Sequence, residues 1–163
     1  MDFPIRTMTI EDTIQVQQVA AASWHATYDG IIPLHVQNQF LKNTYSESMM
    51  ARRIANSILL VAEQQGKVVG FANFTQVDEE GESELAAIYL LPEAQGKGIG
   101  TALFLKGIEQ LMDVKTVVLT VEKENKIGKT FYEAKGFNVI DEFEEDFDGH
   151  KLQSIRMRYS IKV

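Results

Sequence analysis

The sequence predicts an α/β domain built on a mixed, mostly antiparallel sheet of about seven strands flanked by helices. Three observations predict it. Apolar runs of strand length alternate with stretches of helical periodicity along the chain. A buried-strand run at 85–91 leads through Gly96, Gly98 and Gly100 straight into a helical pattern. No repeat, linker or low-complexity tract interrupts the 163 residues, so 1–163 reads as one domain, long enough for a sizeable core.

The elements follow in order. A short strand lies around Phe3, Ile5 and Met8. Thr9 can cap a helix, Glu11 and Asp12 suit its first turn, and the helix runs to about Tyr28 before Asp29-Gly30 closes it. Pro33 starts a second short helix. A third spans 46–56, with Met49, Met50 and Ile54 inward, and Ala51 beside them. Strands at 58–63 and 68–77 flank a Gln65-Gly66-Lys67 turn. The acidic turn 78–82 feeds the strand that Pro92 ends, since proline cannot donate to a ladder. In the helix after the glycines, Leu103, Phe104, Ile108, Leu111 and Met112 form one apolar stripe. Residues 116–122 alternate and are rich in β-branched side chains, hence a strand. A helix at 125–135, closed by Gly136, puts Ile127, Phe131 and Ala134 on one face. Strands at 137–143 and 152–161 form a last hairpin, with the acidic residues 144–148 and Gly149 as its turn.

Composition narrows the function. The formal charge is −7 and the pI about 5.0. That argues against nucleic acid as a partner, which needs clustered Lys and Arg, and permits a cationic substrate. No membrane-spanning run or signal-peptide pattern occurs, so the expected location is cytoplasmic. The chain has no cysteine, which excludes disulfides, thiolate metal sites and an acyl-cysteine intermediate. His25, His35 and His150 show no metal-ligand spacing, and no metal is expected.

A glycine-rich turn that opens a helix leaves unpartnered N–H groups at the positive end of the helix dipole, a site for phosphate. The P-loop pattern is absent, and the dinucleotide G-x-G-x-x-G pattern fails at Thr101 and at Leu103. What is present is Gln95-x-x-Gly98-x-Gly100 after an Ile-Tyr-Leu-Leu-Pro strand end. This resembles the pyrophosphate loop of the GNAT superfamily of acetyl-coenzyme A-dependent N-acetyltransferases. The order of elements is similar to the GNAT fold over essentially the whole chain. A second set, Asn125-x6-Tyr132 followed by Glu133-x-x-Gly136-Phe137, resembles the coenzyme A-binding helix of that superfamily. One departure is Gly128, where the family usually has alanine; glycine costs roughly 1 kcal/mol inside a helix.

The resemblance implies acetyl transfer from acetyl-coenzyme A to an amine. Gln95, Gly96, Lys97, Gly98, Ile99, Gly100 and Thr101 would cradle the pyrophosphate. Ile88, Tyr89 and Leu90 would pair with the pantetheine through their backbone, and the Leu90 N–H would polarise the thioester carbonyl. Asn125 would help hold the pantetheine, and the Tyr132 hydroxyl would sit near the sulfur. With no cysteine, attack is direct, amine on thioester.

Two proton transfers need agents. Deprotonating a lysine-like amine at pH 7 costs about 4.6 kcal/mol. A base must therefore be raised by burial, or work through water on a desolvated amine. Glu84 is the candidate base and acceptor contact, with Glu82 in reserve. Unperturbed Tyr132 is about 2 kcal/mol short of protonating the thiolate. It is expected to hydrogen-bond the departing sulfur, acting as a full acid only with a depressed pKa.

Trp24 and Tyr28 stand one turn apart with His25 between them; helix packing accounts for them, but in this fold the first helices line the acceptor pocket. The stretch Ser23-Trp24-His25-x-x-Tyr28-x-Gly30-Ile31-Ile32-Pro33 is loosely similar to bacterial polyamine acetyltransferases. The expected acceptor is thus a small cationic amine such as a polyamine. The alternatives are a protein N-terminus or lysine, a non-catalytic acetyl-coenzyme A sensor, and a nucleotide-binding regulator. Members of the family are often dimers, so a homodimer is a possible assembly.

Overall fold

In a computed structural model that describes residues 3–161, the chain forms a seven-stranded sheet in the order β1-β2-β3-β4-β5-β7-β6. The strands are β1 (Ile5–Thr7), β2 (Ser57–Gln64), β3 (Lys67–Thr75), β4 (Glu82–Leu90), β5 (Thr116–Glu122), β6 (Asn138–Phe147) and β7 (His150–Ser160). The helices are α1 (Thr13–Tyr28), α2 (Leu34–Thr44), α3 (Glu47–Asn56), α4 (Ile99–Gln110) and α5 (Lys126–Lys135). Among the described residues, no helix is long and apolar enough to cross a membrane. The expected strand at the amino terminus includes Met1 and Asp2, which lie outside the described residues.

Strand alternation divides the core between the two faces of the sheet. Leu60, Ala72, Phe74, Val117, Leu119 and Val121 pack under α4 with Ile99, Leu103 and Phe104. Leu59, Val61, Phe71 and Ala87 pack on the other face with Val16, Val19 and Met50 from α1 and α3. Gly107 sits inside α4 because a Cβ there would meet the Phe74 ring. The β2–β3 hairpin turns on Gln65 and Gly66, both with positive φ (54° and 75°), the pair that a two-residue turn of this hand needs.

Four sequence expectations change. Helix α4 ends at Gln110, where the Leu111 N–H bonds back to the Ile108 carbonyl. Met112 falls beyond it and is 79% exposed, so it is not part of the stripe. On α5, Ile127 is 76% exposed and Ala134 is also exposed; neither packs in the core beside half-buried Phe131. Residues 144–147 belong to β6, and only Asp148 and Gly149 make the turn. β6 is the outer strand, and its exposed acids guard an open edge against pairing with other chains. In α3, Met50 is buried, but Ala51 faces solvent.

The seam between β4 and β5 positions the site. Among the described residues it is the sheet's one parallel pairing, and it covers only Glu82↔Thr116, Ser83↔Val117 and Glu84↔Val118. Opposite β3, the β4 register slips at Ala86, because Asn73 pairs with Ala87 and Phe74 with Leu85. A slip of this kind bends a strand. Beyond Glu84 the two strands separate, and the gap opens toward the amino end of α4 and toward α5.

Candidate active site

The gap is a cleft of about 580 Å³, walled by β4, the glycine loop, α5 and α1. Leu91 N–H donates to the Val69 carbonyl at 2.8 Å. In an antiparallel ladder alternate residues face the partner strand, so Tyr89 and Leu91 turn their backbone groups to β3. Ile88 and Leu90 consequently turn theirs into the cleft, where β5 no longer meets them.

The glycine loop forms the next wall. Gly96 and Gly98 hold φ of 77° and 85°, a region that side chains disfavour. Gly98 is the N-cap of α4. The N–H groups of 96–101 donate to no described residue, while Ala102 N–H, the next along, bonds to the Gly98 carbonyl. The result is a ring of free donors at a helix N-terminus. Gly100 brings α4 and α5 together, since a Cβ there would touch the Phe131 ring at 3.2 Å.

On α5, the Asn125 Oδ1 accepts the Gly128 N–H at 3.0 Å and caps the helix. A Cβ at residue 128 would strike the Asn125 amide, so glycine leaves room for this cap. Gly136, with φ of 109°, closes the helix, and Phe137 N–H returns to the Tyr132 carbonyl. Tyr132 reaches the cleft wall, and its hydroxyl bonds to no described residue. Burial, above all, pushes the Tyr132 pKa above the ordinary tyrosine value, and the titration of nearby Tyr89 adds to it. Tyr132 is therefore a neutral donor, and the depressed pKa that a full acid requires is not what this environment creates.

The far end of the cleft is aromatic. Trp24 stacks on Phe40 at 4.3 Å and tilts against Tyr28 at 4.5 Å between ring centroids. Phe147, from the tip of the last hairpin, lies 5.9 Å from Trp24. Trp24 Nε1 is buried beside the Tyr89 hydroxyl, with no bond of full strength to a described residue. Desolvation raises the Tyr28 pKa strongly, so this phenol too stays neutral.

Of the residues anticipated from sequence, Trp24, Tyr28, Ile88, Tyr89, Leu90, Gln95, Gly96, Gly98, Gly100, Thr101, Asn125 and Tyr132 line the cleft. Three side chains anticipated there do not. Lys97 points to solvent, and Ile99 is buried in the core below α4, so both offer only backbone. Glu84 stands at the last β4–β5 pair, below the opening, and its carboxylate holds Arg156 Nη1 at 3.3 Å. Arg156 is tied in turn to Thr120 at 2.9 Å. Glu82, the reserve, accepts from Thr116 at the same seam. Sequence reasoning did not single out Glu122, a carboxylate only 8% exposed at the carboxyl end of β5, which stands behind the cleft rather than among the residues that line it. The usable signal was its place in 116–122: alternation puts Val118, Thr120 and Glu122 opposite the core-facing Val117, Leu119 and Val121.

The arrangement suits a long ligand with a phosphate at one end. Free N–H donors with glycine clearance meet an anion, and the unpaired β4 edge can pair with an amide-bearing arm. Ile88, Leu90 and Phe131 supply apolar wall, and Tyr132 stands where the arm would end. These residues fit acetyl-coenzyme A. Among the described residues, no group of three or more His, Asp or Glu is placed to hold a metal ion.

Comparison with known proteins agrees. Residues 22–137 match the model of the Acetyltransferase (GNAT) family. The chain is 31% identical to the spermidine N(1)-acetyltransferase of Thermoplasma acidophilum, over 90% of this chain and 95% of that protein. It is 30% identical to the Bacillus subtilis protein named uncharacterized N-acetyltransferase YuaI, over 93% of this chain and 89% of that one. The crystal structure of the PaiA N-acetyltransferase from Thermoplasma acidophilum in complex with coenzyme A superposes with a TM-score of 0.85 at 27% identity. It covers 99% of this chain and 100% of its own. The split sheet, the free donors of the glycine loop and these matches lead to one conclusion: the chain belongs to the GNAT acetyltransferase family, and it is an acetyl-coenzyme A-dependent N-acetyltransferase.

Proposed function

We propose that the acceptor is a small aliphatic cation, a polyamine or a close relative. The observation that carries this reading is the aromatic, buried end of the cleft at Trp24 and Tyr28. Aromatic faces attract ammonium groups. The similarity to a spermidine acetyltransferase and the net charge of −7 support it.

Acetyl-coenzyme A supplies the thioester. The N–H groups of 96–101 hold the pyrophosphate, and the β4 edge orients the arm. Leu90 N–H, turned into the cleft, donates to the thioester oxygen as charge develops there. The acceptor's neutral nitrogen attacks the carbonyl carbon. The C–N bond forms, the C–S bond breaks, and the nitrogen's proton passes to the leaving sulfur. Tyr132 donates a hydrogen bond to that sulfur while keeping its own proton. Summed from the ammonium, the products are the N-acetyl amine, the free thiol and one proton.

The test is thiol release from acetyl-coenzyme A against polyamines, aminoglycosides, amino acids and short peptides. Spermidine or spermine should be preferred. Preference for a peptide would overturn the acceptor class, and binding of acetyl-coenzyme A with no transfer at all would favour a sensor.

A further inference from the structure

The transfer chemistry leaves one buried anion at the acceptor end unused. Glu122 ends β5 on the α1 side of the sheet, and only 8% of it is exposed. One carboxylate oxygen, Oε2, accepts the Glu124 N–H at 2.7 Å. Among the described residues, no Lys or Arg lies within ion-pair distance of it. Around it stand Tyr28 from α1, His150 from the start of β7 and Glu124 from the following loop. Ser154 opposes it across the ladder but gives its hydroxyl to Glu145 at 2.8 Å. Desolvation is the largest influence on the Glu122 pKa and raises it, against the opposing pull of the Glu124 and Asn125 N–H groups and of His150. Buried carboxylates are normally paired.

A second observation points to a ligand in the same place. Trp24 lines the cleft, and its buried Nε1 donor has only the Tyr89 hydroxyl near it, with no bond of full strength. Buried donors normally find one in the protein or in ordered water. Tyr28 lies against Trp24 on one side and is near enough to Glu122 to feel its charge on the other. Aromatic faces and a weakly bonded donor thus line the cleft, and a buried carboxylate with no Lys or Arg beside it stands directly behind them.

We propose that Glu122 is the acceptor's cation anchor: it binds one ammonium of an aliphatic diamine or polyamine lying along Trp24 and Tyr28, while another amine of the same molecule reaches the thioester. The anchor rests on the amine-acetylating reading above and narrows it. The site selects for a second positive charge, so monoamines are poor acceptors.

The experiment compares 1,4-diaminobutane with butylamine as acceptors for the full chain and for Glu122→Gln. The expected result is a diamine KM raised about tenfold or more by the substitution, with the butylamine KM unchanged. The kcat and the affinity for acetyl-coenzyme A should hold within about threefold for both. An unchanged diamine KM would overturn the anchor. So would an equal fall in kcat with both amines, which would make Glu122 a proton acceptor instead. Should Glu122→Gln fail to fold, Glu122→Asp takes its place, withdrawing the charge by one methylene. It should raise the diamine KM alone, and an equal effect on both amines would again overturn the anchor. Wild-type protein that binds acetyl-coenzyme A but acetylates neither these amines nor spermidine would overturn the functional reading, and the anchor with it.

Discussion

Leu91 donates its N–H to the Val69 carbonyl at 2.8 Å, and this one bond decides how Leu90 faces. Because backbone groups alternate along a strand, the Leu90 N–H is turned away from β3 and toward the opening beside β5. Gly70, across the ladder from Leu90, has no side chain to displace it. The proposed polarising donor is thus set by strand pairing rather than by a mobile loop.

Tyr132→Phe tests the leaving-group donor. The kcat should fall about 10²–10³-fold, with acetyl-coenzyme A affinity nearly unchanged, measured by thiol release and calorimetry. Because burial raises the Tyr132 pKa, its loss of a proton should limit the wild type only above the ordinary tyrosine value of about 10. A Tyr132-dependent limb below that value would show that the residue works ionised.

Gly98→Ala tests the donor ring. The residue holds φ of 85°, and an L-side chain there costs about 1–2 kcal/mol. Relief of that strain would rotate the N–H groups that open α4. The KM for acetyl-coenzyme A should rise roughly tenfold, with the thermal midpoint lowered by only a few degrees.

Gly107→Ala separates packing from propensity. Alanine favours a helix interior by roughly 1 kcal/mol, but here its methyl would enter the Phe74 ring. Overpacking of this kind costs about 1–3 kcal/mol. Chemical denaturation should therefore show net destabilisation, and Gly107→Ala with Phe74→Leu should recover part of it.

Asp12 governs acid sensitivity at the opposite edge. Both its oxygens bond the Arg6 guanidinium, at 2.8 and 2.9 Å, and Thr9 N–H donates at 2.8 Å. The bond to Arg6, above all, holds the Asp12 pKa below the usual carboxylate range. A lowered native value contributes stability above the unfolded pKa of about 3.9 and loses it as pH falls through the native one. Asp12→Asn should cost about 1–3 kcal/mol at pH 7, and the gap from wild type should close as pH drops below about 4. Urea melts across pH 3–7 would check this.

Much of this molecule is legible locally. Residues 116–122 read as a strand because β-branched residues alternate there, and the structure has β5 over Thr116–Glu122. Gly136 announces the end of α5 because only a left-handed residue closes the helix that way. Errors came where local periodicity outlasts its element. Met112 continues the α4 stripe on paper, but the helix has already stopped at Gln110. Ile127 keeps helical spacing with Phe131, yet no sheet lies beneath its face. Glu84 and Glu122 both sit in acidic, polar-looking stretches. Only the splaying of β4 from β5, a non-local property, leaves the first at the seam with Arg156 and the second behind Tyr28.

That splaying has a thermodynamic corollary. Two half-sheets meet through three residue pairs, so little backbone pairing joins them at the seam. A ligand whose arm lies in the gap does what a missing strand would do and ties one half to the other. Saturation at a hundred times the dissociation constant adds about 2.7 kcal/mol to the folded state by mass action. Protection of amide protons should spread outward from this seam when the ligand is bound. The co-substrate is in this sense also a reversible staple, and the enzyme's resistance to unfolding follows the cell's supply of it.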